Sequence, residues 1–141
     1  MRRGATALIV VTLGACGGSV SEAEFIAAAD DLCAAMRAGM EALPAPQSLG
    51  EVKAFGDQAA QIGAEAMADL RALEVPKGDE REVDAIFDKF QEGFDLLRQL
   101  VEAAEAKDEV RVQQLLGEAE TLQKEGNDLA ATYGMKDCAE E

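Results

Sequence analysis

Cysteines at 16, 33 and 138, with methionines at 36 and 40, are the residues of this sequence best suited to chemistry. A thiol can serve as nucleophile, disulfide partner or soft-metal ligand. Met36 and Met40 stand one helical turn apart on the side of Cys33, and thioethers with a thiolate suit Cu(I). A disulfide at Cys33 removes that ligand, and methionines at helical spacing ordinarily fill core gaps. No metal or cofactor is therefore expected. The sequence holds no histidine, which removes Ser-His and Cys-His nucleophile pairs, haem ligation by histidine and most zinc sites. Serines occur only at 19, 21 and 48, in spacer or capping positions. Asp30-Asp31 and Glu118/Glu120 resemble paired catalytic carboxylates only on paper. Neighbouring or alternate residues on a helix do not face each other, so these read as solvated faces. No catalytic residue is assigned, and the chain is expected not to be an enzyme.

Cys16 has a different setting. Arg2-Arg3 are followed by an apolar run from Ala5 to Leu13 and then by small residues up to the cysteine. That is the plan of a secretory signal, and the run is about half the ~20 residues of a membrane span. Leu13-Gly14-Ala15-Cys16 resembles the lipobox of bacterial lipoproteins, with Gly14 where alanine or serine is more usual. The resemblance implies removal of residues 1–15 as a signal peptide and a diacylglycerol on Cys16. It also implies a mature chain on the extracytoplasmic side of a bacterial membrane, with residues 16–20 as lipidated cysteine and tether. Gly17-Gly18-Ser19 suits such a flexible spacer.

The charge agrees with a soluble domain on a tether. Net charge is −15, and none of the 28 acidic residues precedes Cys16. Such a field repels a phosphate backbone, so no nucleic acid is expected as a partner. It also repels anionic lipid, which leaves the membrane to be held through the N-terminal lipid.

Behind the tether, residues 21–141 read as four helices. Ser21 with Glu24 makes a capping box before the stripe Phe25, Ala29, Leu32, Met36, Met40 and Leu43, which Pro44 and Pro46 stop. Ser48 and Glu51 make a second box before Val52, Phe55, Ala59, Ile62, Ala66, Leu70 and Leu73. Asp79 with Glu82 opens the heaviest stripe: Val83, Phe87, Phe90, Phe94, Leu97, Val101 and Ala104. Phe55 of the second helix with Phe87, Phe90 and Phe94 of the third are expected at the centre of the core. After a brief turn at Lys107-Asp108 come Val112, Leu115, Ala119, Leu122, Leu129 and Tyr133, with Gly134 as C-terminal cap and a short tail beyond. Threes and fours throughout, with no alternation of period two, give an all-α chain. Short connections fold it most simply as an up-down-up-down four-helix bundle.

Glycines at 39, 56, 63, 93, 117 and 126 fall inside these helices, each at about 1 kcal/mol against alanine. Gly56 and Gly63 share a face, where they admit a close neighbour, leave a groove, or, on the plainest reading, are simply tolerated by an alanine-rich bundle. With Cys16 lipidated, Cys33 and Cys138 remain as an even pair in an oxidising compartment, and a disulfide between them is expected. The reach is demanding. Cys33 lies ~18 Å below Ser21 along its helix, and four extended residues after Gly134 span ~13 Å. Small exported helical proteins of high-GC bacteria are loosely similar over residues 25–138, with a cysteine in the first helix and another behind a terminal glycine. That likeness implies no activity.

The functional expectation is a lipid-anchored, non-enzymatic binding or scaffolding module of the cell envelope, with an envelope protein as one candidate partner. The alternative is a carrier that holds a small ligand in a cavity of the bundle core. No oligomeric state follows from the sequence.

Overall fold

The computed structural model describes residues 18–140 and is all-helical. The signal segment and Cys16 lie outside the described residues. Helix α1 runs Glu22–Glu41, α2 Leu49–Ala72, α3 Glu80–Glu105 and α4 Glu109–Tyr133, and a 3-10 turn follows at Asp137–Ala139. Among the described residues no helix is long and apolar enough to cross a membrane.

The helix starts differ in chemistry. Ser21 and Glu24 form the full capping box, each side chain accepting from the other's backbone N–H. Those bonds from Ser21 hold the Glu24 carboxyl below its ordinary range. Ser48 occupies the next N-cap without a side-chain cap bond. Glu51 instead accepts from the backbone N–H of Gln47, one residue before the cap. Asp79 makes no cap bond either, because its carboxylate accepts the Tyr133 hydroxyl at 2.9 Å. The second expected box is thus corrected, with Glu51 bonded outside the cap, and at the third start Asp79 is drawn to Tyr133 instead. Asp108 caps α4 by accepting from Arg111 N–H.

Small residues fix the helix spacing. A Cβ on Gly63 would fall 2.3 Å from the Phe94 ring, and one on Gly56 would fall 2.2 Å from Val101 Cγ2. Both glycines therefore admit α3 against α2 and are not merely tolerated, which corrects the plainest reading of the sequence. Gly126 lets the Phe90 ring approach α4, and Gly39 faces Ile62. Gly63 faces Phe94 while Gly56 faces Val101, and Lys89 pairs with Glu125 while Arg111 bonds Gln99, so α3 runs against both α2 and α4, as short connections require.

The buried core lies toward one end. Phe25, Ala29 and Cys33 meet Met67 and Leu70, then Val83, Ile86 and Phe87, then Ala130 and Tyr133, with Met135 and Cys138 from the tail. Phe25 is the hub, 6.4 Å from the Phe87 ring centroid and edge-on to Tyr133 at 5.9 Å. The aromatic centre is therefore Phe25, Phe87 and Tyr133; of the expected aromatics, Phe90 and Phe94 are only half-buried beside it, and Phe55 is half-buried outside the cluster. On α4 the inner stripe passes through Gly126 and Ala130, and the expected Leu129 is 37% exposed.

Candidate functional site

Helices α1 and α2, α2 and α3, and α3 and α4 pack side by side, but the fourth seam stays open. Among the described residues, no Cα of α1 comes within 8 Å of a Cα of α4. The tail bridges that seam at one end, touching both helices. Gly134 takes the left-handed conformation at φ 101°, and the Met135 N–H returns to the Ala130 carbonyl. This turns the chain off α4 and back along α1.

Three successive devices on one face of α1 hold the tail. The Asp30 carboxylate accepts the backbone N–H of Lys136 at 3.0 Å and of Cys138 at 3.2 Å. Cys33 and Cys138 stand at disulfide distance, with Cα atoms 5.1 Å apart. Arg37 donates to the Asp137 carboxylate at 2.8 Å and to its carbonyl at 3.2 Å, and pairs with Glu140 at 2.9 Å. The Asp137 bond, with Glu140 adding to it, holds the Arg37 proton more firmly than in an ordinary guanidinium. Residues 30, 33 and 37 are spaced by three and four, so one helical face presents all three. The reach problem resolves through stagger. Tyr133 ends α4 at the level of Phe25, and Cys33 lies only about 12 Å further along α1 at 1.5 Å per residue.

Beyond the tail the seam is a groove of about 470 Å³. Met36 and Met40 form its α1 wall, Ala119 and Leu122 its α4 wall, and Met67, Phe90, Phe94 and Leu97 its floor. Gly93 also lies on the floor, and a Cβ placed there would meet nothing within 4 Å. Cys33, Cys138, Asp137 and Glu140 close one end. Lys89 stands at that end too, paired with Glu125 at 3.0 Å and Glu92 at 3.3 Å. Those carboxylates, Glu125 foremost, raise the hold of Lys89 on its proton.

A larger hollow of about 910 Å³ lies on the outer α3–α4 seam. Its rim carries Glu92, Asp95, Glu118 and Glu125 around Leu96 and Leu122. It is an open acidic dip, and the α1–α4 groove is the better-formed site.

The sequence-assigned residues divide as follows. Cys33 and Cys138 come together at the closed end of the groove. Cys16 lies outside the described residues. Met36 and Met40 face the groove, while Cys33 is turned to Cys138. Glu118 and Glu120 are exposed, as their spacing implied, but Asp30 is a ligand for two backbone amides and no mere solvated carboxylate. Among the described residues no group of three histidine, cysteine or acidic side chains is placed to hold a metal. The groove itself went unassigned in the sequence. Its only signal was a methionine pair opposite an α3 stripe heavier than a 20-residue α1 could cover. No family model, curated protein or solved structure matches the chain.

Proposed function

We propose that the chain is a lipid-anchored, extracytoplasmic binding module without catalytic activity, and that the α1–α4 groove receives an apolar guest. The observation carrying this is the groove itself. Its volume of about 470 Å³ falls within the range of ~300–1,000 Å³ typical of small-molecule pockets. Methionine, phenylalanine and leucine make most of its walls, with Gln123 and Asn127 on α4, and the methionines adapt to apolar shapes. An open apolar groove also suits an apolar face of a protein partner, which keeps the binding or scaffolding module beside the small-ligand carrier. The anchor rests on Arg2-Arg3, the short apolar run and Leu13-Gly14-Ala15-Cys16.

Native mass spectrometry of full-length protein extracted from membranes tests both halves. The expected species begins at Cys16, carries acyl mass and releases a small apolar guest on mild activation. A soluble, unacylated chain would remove the anchor. An acylated chain that never carries or accepts a guest would remove the carrier.

A further inference from the structure

We infer that Cys138 is the sulfur through which a dithiol–disulfide oxidoreductase makes and breaks the Cys33–Cys138 bridge, with Cys33 as the resolving sulfur. In the seated tail neither sulfur is open to attack, since Cys33 is 3% exposed and Cys138 6%. Exchange therefore needs one side of the bridge to move. Cys33 lies within the 20-residue α1, whose Phe25 and Ala29 are fully buried in the core. It cannot swing out without unwinding that helix. Cys138 lies on a three-residue turn beyond Gly134, near the end of the chain. Met135 is packed at 2% exposure, so the moving part is Lys136 onward. The hold on that part is mostly polar and within reach of water: Asp30 on two amides, and Arg37 on Asp137 and Glu140. Such a segment opens far more readily than a core helix. Three extended residues carry Cys138 about 10 Å from Met135, enough to enter a partner's cleft.

A partner attacking Cys33 would have to reach past the tail to the closed end of the groove, between α1 and α4. Attack at Cys138 needs only the tail to lift. The partner's thiolate bonds to the Cys138 sulfur, and the bridge breaks with its electron pair leaving on Cys33, which takes a proton from water. The partner's second thiolate then displaces Cys138, which is protonated in turn, leaving two protein thiols and an oxidised partner. In reverse, the Cys138 thiolate opens the partner's disulfide and the tail returns to its seat. The Cys33 thiolate then attacks the Cys138 sulfur and expels the partner. Asp30 is the positioning residue of that last step, because it seats the Lys136 and Cys138 amides one turn from Cys33.

The test uses the full chain carrying Cys16→Ser, with glutathione as the exchanging thiol. The oxidised chain is treated with glutathione and quenched at early times with excess N-ethylmaleimide. Peptide mass spectrometry then reads which cysteine carries which adduct, and circular dichroism confirms that the helices persist. The expected species has glutathione on Cys138 and maleimide on Cys33, roughly tenfold or more over the reverse arrangement. Asp30→Ala loosens the tail and should speed this reaction about fivefold. In reoxidation by glutathione disulfide the same variant should slow closure of the mixed disulfide about fivefold. Asp30→Asn keeps a carbonyl acceptor and should recover most of the original rate in both directions. Glutathione found mainly on Cys33, or equally on both cysteines, would overturn the assignment. Rates indifferent to Asp30→Ala would overturn the tail as the moving part. Reaction only in urea that melts the helices would make the bridge inert in the folded chain and overturn the inference.

Discussion

The backbone N–H of Cys138 donates to the carboxylate of Asp30 at 3.2 Å, one helical turn from the cysteine that the Cys138 sulfur meets. The same carboxylate also takes the Lys136 N–H. A single α1 side chain thus orients the tail so that its sulfur arrives at Cys33. Asp30→Ala should leave two amides without their acceptor and cost on the order of 1 kcal/mol, since water reaches this site. Hydrogen exchange checks this directly: the Lys136 and Cys138 amides should lose protection before any amide of α3 does. Unchanged protection at both would show that the tail is held by other means.

The covalent part of the clamp is testable in the same molecule. Thiol counting on unreduced, denatured protein lacking Cys16 should find no free thiol. Removing the bridge with Cys138→Ser should lower stability by about 2–4 kcal/mol, because the cross-link closes most of the mature chain into one loop. Urea unfolding measures this. Two free thiols, or equal urea midpoints with and without reductant, would contradict the disulfide.

Tyr133 gives a pH signature. Burial first, and the Asp79 carboxylate second, push its phenol above the ordinary tyrosine range in the folded chain. Folding therefore favours the neutral phenol. That contribution is complete below the unfolded tyrosine pKa of about 10 and fades as pH rises beyond it. The chain has a single tyrosine, so phenolate absorbance reports this residue alone. The signal should appear only as the helices melt at alkaline pH, and Tyr133→Phe should remove this part of the alkaline destabilisation. A phenolate forming near pH 10 in a fully helical protein would contradict the Asp79 contact.

The helical glycines should split into two classes. At Gly63 a methyl group runs into the Phe94 ring, and at Gly117 it meets open space. Gly63→Ala should destabilise by about 1–3 kcal/mol despite its helix propensity. Gly117→Ala should stabilise by up to about 1 kcal/mol. Combining Gly63→Ala with Phe94→Ala should give a loss smaller than the sum of the two, since the clash has gone. Additive losses would show that Gly63 does not set the α2–α3 approach.

Much of this architecture was legible in the residues, and the failures are instructive. Ser21 and Gly134 announced their helix ends because each needs only its own neighbours to act. Asp79 did not, because its partner Tyr133 is brought in by the fold from the far end of the chain. Asp30 was hidden in the same way, its two amides lying beyond residue 135. Phe90 and Phe94 share a stripe with Phe87, and the pattern alone puts all three at the centre of the core. Periodicity marks which face is apolar, but it does not say whether a neighbour reaches that face. With α1 ending at Glu41 and the tail filling only one end of the seam, the second half of the stripe became a groove. Leu129 was misplaced by one position because glycine and alanine, at 126 and 130, carry the close contacts of α4 and are quiet in any hydrophobic pattern.

The central claim, that the α1–α4 groove is the guest site, is tested most directly by methyl NMR of protein labelled at methionine. Met36 and Met40 line the groove and are half-buried, whereas Met135 is packed in the core at 2% exposure. On titration with dodecyl maltoside below its micelle concentration, the first two methyl signals should shift together and saturate at one equivalent while Met135 stays in place. Shifts absent from those two, or spread equally to Met135, would contradict the account.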